Sequence, residues 1–150
     1  MSRHWLFCLV VMMVGCEGNG DSPMGISGRL AACPESPNCV SSQSSDPRHA
    51  IAPLRYEGTG PTARERLLKA LSGMKRARIV VAEERYIRAE FTSAFFRFVD
   101  DVEFLLDDKA RTIHVRSASR VGYFDFGVNR RRVEKIRSRF DTLNKEDRGR

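Results

Sequence analysis

The sequence predicts an α+β domain: a single antiparallel sheet with helices packed on one face. Three observations predict it. Pro61 to Met74 has an apolar stripe at helical spacing. Between that stretch and Ser117, apolar and polar residues alternate in four short segments. The chain then closes on a second helical stripe, Val133, Ile136, Phe140 and Leu143.

Met1-Ser-Arg-His is basic, and Trp5 to Val14 is apolar and uncharged. Gly15-Cys16 ends the run, and a polar stretch follows. A basic start, a short apolar run and a small residue at the cut make an export signal. The run is half of the about 20 apolar residues that span a bilayer, and it lacks an Ala-x-Ala site. Met13-Val14-Gly15-Cys16 resembles the lipobox of bacterial lipoproteins, which makes Cys16 the expected lipidation site. Acyl chains there would add about 0.8 kcal/mol of membrane affinity per buried methylene. Glu17 is not Asp, which in a diderm host leans toward the outer membrane. The organisation is thus a lipoprotein signal peptide at 1–15, a flexible tether at 16–32, one α+β domain at 33–144 and a charged tail at 145–150.

Within the domain, Cys33 to Pro53 reads as loop, with Pro34, Pro37, Pro47 and a serine-rich run. A long segment without regular pattern inside a compact domain is usually functional or pinned down. Ile51 to Tyr56 is the first expected strand. Thr62 and Glu65 have capping-box spacing at the start of the first helix. Strands follow at Arg78–Glu83, Arg85–Ser93, Asp101–Asp107 and Thr112–Ser117. Asp107-Asp108-Lys109-Ala110 is a turn of hairpin length. Asn129 is the expected N-cap of the last helix.

The formal charge of the 150-residue chain is +7, of which only Arg3 leaves with the signal. A basic exported domain suits anionic lipid headgroups, lipopolysaccharide phosphates or acidic cell-wall polymer. Export sets nucleic acid aside. Cys8 leaves with the signal and Cys16 takes lipid, so Cys33 and Cys39 remain. An oxidising compartment permits a disulfide between them, and two cysteines alone cannot close a zinc site.

Strand parity sorts the polar residues. Ile87, Ala89, Phe91, Val102, Phe104, Ile113 and Val115 share one face. Arg88, Glu90, Asp101, Glu103, His114 and Arg116 collect on the other. That face reads either as a ladder of cross-strand ion pairs or as a ligand or metal site on Glu90, Asp101, Glu103 and His114. Arg88 and Arg116 would repel a cation, so no metal is expected. Asp100 and Asp101 point to opposite faces and do not make one acid–base pair. His114 and Ser117 likewise face apart, and no catalytic set is expected. Arg130, Arg131 and Arg132 oppose the helix dipole. They are expected to pair with Asp100, Asp101 or Asp125, or to hold an anion with the first-turn amides.

Cys33-Pro-Glu-Ser-Pro-Asn-Cys-Val-Ser-Ser42, Ala89-Glu90-Phe91, Phe98 to Phe104, His114 to Tyr123 and Asp125 to Glu134 closely resemble the domain-of-unknown-function family 1499. The resemblance covers Cys33 to Phe140. It implies a fold unit and an address in the bacterial envelope, with relatives in plant plastids, and no cofactor or mechanism. The family pattern has a serine where this chain has Phe124. A shared site would draw on Asn38, Ser41, Arg116, Ser117, Arg120, Tyr123, Asn129 and Arg130, whose donors suit carboxylate, phosphate or sugar. The expected role is a non-catalytic envelope lipoprotein that binds an anionic ligand or a protein partner. An enzyme on an envelope polymer or lipid, using Glu90, Asp101 or His114, is the alternative.

Overall fold

The computed structural model of the chain describes residues 28–148. The expected signal peptide, Cys16 and most of the expected tether lie outside the described residues. The elements run β1 (Cys39–Ser41), β2 (Leu54–Arg55), α1 (Gly60–Ser72), β3 (Ala77–Ala82), β4 (Tyr86–Thr92), β5 (Val99–Asp107), β6 (Thr112–Ser119) and α2 (Val128–Arg148).

All six strands join one antiparallel sheet, in the order β1-β6-β5-β4-β3. The short β2 pairs with the start of β6, at Ile113 and Thr112. Both helices cover one face, and the fold class is α+β as the alternation and stripes require. Leu67 and Leu71 of α1 and Val133, Ile136 and Phe140 of α2 are buried against Ile87, Phe91, Phe104 and Val115 of the sheet. The parity of β4 to β6 therefore holds. In β3 it breaks: the register shifts between Ile79 and Val81. This bulge sends Ile79 to the main core and Val81 to the opposite face. There Val81 packs with Tyr86, Leu105 and Leu30, so the second face is not wholly polar.

Several boundaries differ from the sequence expectation. The loop from Cys33 contains β1, which is too short to display alternation and is buried at all three residues. The strand expected over Ile51–Tyr56 contracts to Leu54–Arg55. Pro53 has no N–H to give a ladder, and the carbonyls of Ala52 and Pro53 accept from Arg137 at 2.6 and 2.7 Å instead. Helix α1 is capped by Thr59, not Thr62: the Thr59 hydroxyl accepts from the Thr62 amide. Pro61 then falls in the first turn, where a missing N–H costs nothing.

Asn129 is not the N-cap of α2. Asp125 takes that work, accepting from the amides of Gly127 and Asn129 at 2.9 and 2.8 Å. Helix α2 continues to Arg148, into the expected charged tail. Arg66 of α1 holds this last stretch, donating to Asn144 Oδ1 at 3.0 Å and to Asp147 Oδ2 at 2.6 Å. No helix among the described residues is long and apolar enough to cross a membrane.

Candidate functional site

β4 and β6 end, and β5 and β1 begin, at one end of the sheet. The Cys33–Cys39 disulfide closes the loop that leads into β1 there. Three segments distant in sequence meet in one buried polar node. Its centre is Asn129, fully buried in the first turn of α2. The Asn129 amide nitrogen donates to the Asn38 carbonyl (2.9 Å), Ser119 Oγ (3.0 Å) and Asp125 Oδ2 (2.9 Å). Its oxygen accepts from the Ser117 hydroxyl and from Arg132, both at 2.6 Å. Arg132 also forms an ion pair with the buried Asp100 and lies 5.1 Å from the Phe91 ring centroid.

The opposite face carries the ladder. Glu90 accepts from Arg78 and Arg120, each at 2.5 Å. Those two hydrogen bonds, Arg120 first, hold its carboxyl below the ordinary range. Asp101 accepts from Arg120 at 2.7 Å. Glu103 is buried, with Arg116 at 2.8 Å on one oxygen and the Tyr86 hydroxyl at 2.8 Å on the other. His114 Nδ1 lies 3.4 Å from Ser42 Oγ. The carboxylates are consumed in pairs along the strands, while the buried Nε atoms of Arg88 and Arg116 have no hydrogen-bond partner among the described residues. The opposite facing of Asp100 and Asp101 is realised: one reaches Arg132 and the other Arg120.

The donors expected to form a shared site are dispersed by function. Asn38, Ser117 and Asn129 belong to the buried node, and the Asn38 amide also donates to the Gly122 carbonyl. Ser41 is buried in β1 and pins the following loop, its amide donating to the His49 carbonyl and its hydroxyl accepting from the Gln43 amide. Arg116 and Arg120 serve the ladder. Arg130 donates to the carbonyls of Ala50 and Arg48, at 2.9 and 3.3 Å. Of the eight, Tyr123 alone is exposed as a whole and free of a structural partner among the side-chain hydrogen bonds; its ring meets Phe124 edge-on at 4.8 Å. The arginine triplet splits accordingly. Arg132 pairs with Asp100 as expected, while Arg130 and Arg131 bind backbone carbonyls.

A second set of residues, of which the sequence singles out Arg131 alone as a possible anion holder, comes together only in the fold. Lys75, Arg76, Arg131 and Lys135 line a cleft of about 470 Å³, together with Phe91, Ser93 and Val128. All four cations are exposed, and among the described residues none has an ion-pair partner. Two of them, Arg131 and Lys135, stand one helical turn apart on α2. That spacing was the available signal, but the cleft needs the α1–β3 turn folded beside it.

The node and the ladder should respond differently to mutation. Asn129→Ala is expected to lower stability by about 2–3 kcal/mol, because Ser117, Arg132 and Asp125 lose a buried partner. Arg120→Ala is expected to cost less than about 1 kcal/mol, its pairs being open to water. Urea denaturation of both variants checks the contrast. A pH dependence follows from Tyr86, whose phenol is pushed up by burial and then by the Glu103 charge. Below about pH 10 folded and unfolded chains both keep that proton; above it the unfolded chain loses it first. Stability therefore falls as the pH rises past about 10, and Tyr86→Phe flattens the fall in urea denaturation between about pH 8 and about pH 11.

The family model described as "Protein of unknown function (DUF1499)" matches residues 29–140. No curated protein and no solved structure matches the chain. The matched stretch takes in the disulfide loop, the whole sheet, α1 and most of α2, and with them every member of the Asn129 node. The chain belongs to the DUF1499 family, whose members are described as proteins of unknown function.

Proposed function

We propose that this protein is a lipoprotein of the bacterial cell envelope, anchored through Cys16 and facing the periplasm, whose domain is a non-catalytic binding module for an anionic ligand. The lipobox-like Met13-Val14-Gly15-Cys16 supports the anchor, and Glu17 favours the outer membrane. One observation carries the ligand class. The fold ties up the expected donors other than Tyr123 internally, yet leaves Lys75, Arg76, Arg131 and Lys135 without a counter-charge around one cleft that has no carboxylate among its lining residues. Four like charges kept together repel each other, and an anion relieves that repulsion. The cleft commits the reading to an anion rather than to an unspecified protein partner. The enzyme alternative has less support: Glu90 and Asp101 are held by arginines, His114 Nδ1 lies 3.4 Å from Ser42 Oγ, and none of the three lines the cleft.

Two outcomes are expected. The full chain made in a diderm bacterium should fractionate with membranes and incorporate labelled palmitate, and Cys16→Ser should abolish both. The full chain should bind lipopolysaccharide at low salt. Lys75→Glu combined with Lys135→Glu should weaken that binding about tenfold or more, from roughly 1 kcal/mol per cation at an anionic surface. Unchanged binding in a pull-down with the double variant counts against the cleft.

A further inference from the structure

Exposed large hydrophobic side chains fall at one end of the domain. Phe95, Phe96 and Phe98 lie in the β4–β5 loop, and Tyr123, Phe124 and Phe126 in the β6–α2 loop. The exposure is extreme for phenylalanine: 91% at Phe95 and 88% at Phe126. Both loops leave the sheet at the same end. Thr92 pairs with Val99, Asp100 pairs with Ser119, and the Arg120 amide donates to the Val99 carbonyl at 3.3 Å. With neighbouring strands about 4.8 Å apart, the two loop roots lie within about 10 Å. The rings pair within each loop, Phe96 stacking on Phe98 at 5.5 Å and Tyr123 meeting Phe124 at 4.8 Å. Left-handed backbone at Arg97 (φ 56) and Phe126 (φ 52), which bulky residues rarely adopt, sets these loop tips.

Cations rim the aromatic patch. Arg97 lies between Phe96 and Phe98, and the basic cleft adjoins it through Ser93, Ala94 and Val128. Of the carboxylates at this end, Glu35 of the disulfide loop is exposed and outside any ion pair, and the others are already engaged. Asp100 is paired with Arg132, Asp101 with Arg120, and Asp125 with the amides that start α2. An apolar centre of aromatic rings with an unneutralised basic border matches an anionic bilayer surface. Two copies meeting through this face would press the basic borders together, which opposes a dimer.

We propose that this end of the domain docks onto an anionic bilayer, with the aromatic loop tips seated at headgroup depth and the basic rim on lipid phosphates. This deepens the anionic-ligand reading and rests on it. The anchor permits it: the twelve steps from Cys16 to Gly28 reach at most about 40 Å, longer than the roughly 30 Å of the nine-residue β5.

Fluorescence tests the docking in the full chain. The single native tryptophan, Trp5, leaves with the expected signal peptide, and Trp5→Phe silences it in any unprocessed chain. Phe96→Trp and, separately, Phe124→Trp then report the two loops, and Lys109→Trp reports the β5–β6 turn at the far end. With mixed phosphatidylglycerol and phosphatidylcholine vesicles carrying brominated chains, the indole at positions 96 and 124 should shift to the blue and be quenched, and at position 109 should not. Arg97→Glu with Lys75→Glu should weaken the docking read as quenching at positions 96 and 124 about tenfold or more, with the anchoring through Cys16 unaffected. Quenching at 96 and 124 no greater than at 109 overturns the proposal. So does equal quenching with phosphatidylcholine alone, or a blue shift without vesicles accompanied by a dimer in sedimentation. Unquenched loops with lipopolysaccharide binding retained would sink only the bilayer docking; loss of both would sink the anionic-ligand reading as well.

Discussion

The amide of Asn129 is the contact on which the architecture turns. A fully buried primary amide must find partners for its oxygen and its nitrogen, or cost the fold its desolvation. Here those partners come from the disulfide loop, the end of β6, the Asp125 turn and the next turn of α2. Satisfying one side chain therefore places four segments. The Cys33–Cys39 bridge shortens the search by holding the chain that presents the Asn38 carbonyl.

The same constraint decides where the positive charge goes. Helix α2 is rich in arginine, but much of that charge is turned inward. Arg132 closes on Asp100 through the node, and Arg130 and Arg137 hold the carbonyls of residues 48–53. A segment that has little ladder of its own thus has its backbone acceptors satisfied by side chains from a helix. The face of α2 carrying Arg131 and Lys135 lines the cleft instead. Cations paired inside the fold and cations without a counter-charge alternate along one helix, separated by its rotation of about 100° per residue.

A rigid sheet end beneath two exposed aromatic loops makes a division of labour. The node and the strand pairing hold the loop roots, while the loop tips carry apolar surface that contributes nothing to the core. Phe124 belongs to this group. It places an exposed ring against Tyr123, so it enlarges the aromatic surface rather than filling the core.

Periodicity and parity made much of this fold legible. The stripe on α2, the alternation in β4 to β6 and the ion-pair ladder depend on residues close in sequence or on neighbouring strands, where spacing alone dictates facing. The pairing of Cys33 with Cys39 was likewise readable as a local pattern. Tertiary structure decided what local patterns could not carry. A three-residue strand has no period to detect, and Asn129 has the sequence context of a helix cap while its partners stand as far as 91 residues away. The bulge in β3 reverses parity through one unpaired residue, and the aromatic end exists only because two distant loops leave the sheet side by side. The sequence determined which residues are apolar, charged and helical; folding alone determined which donors would be used up inside and which cations would be left facing out, because hydrogen-bond satisfaction is settled by neighbours in space.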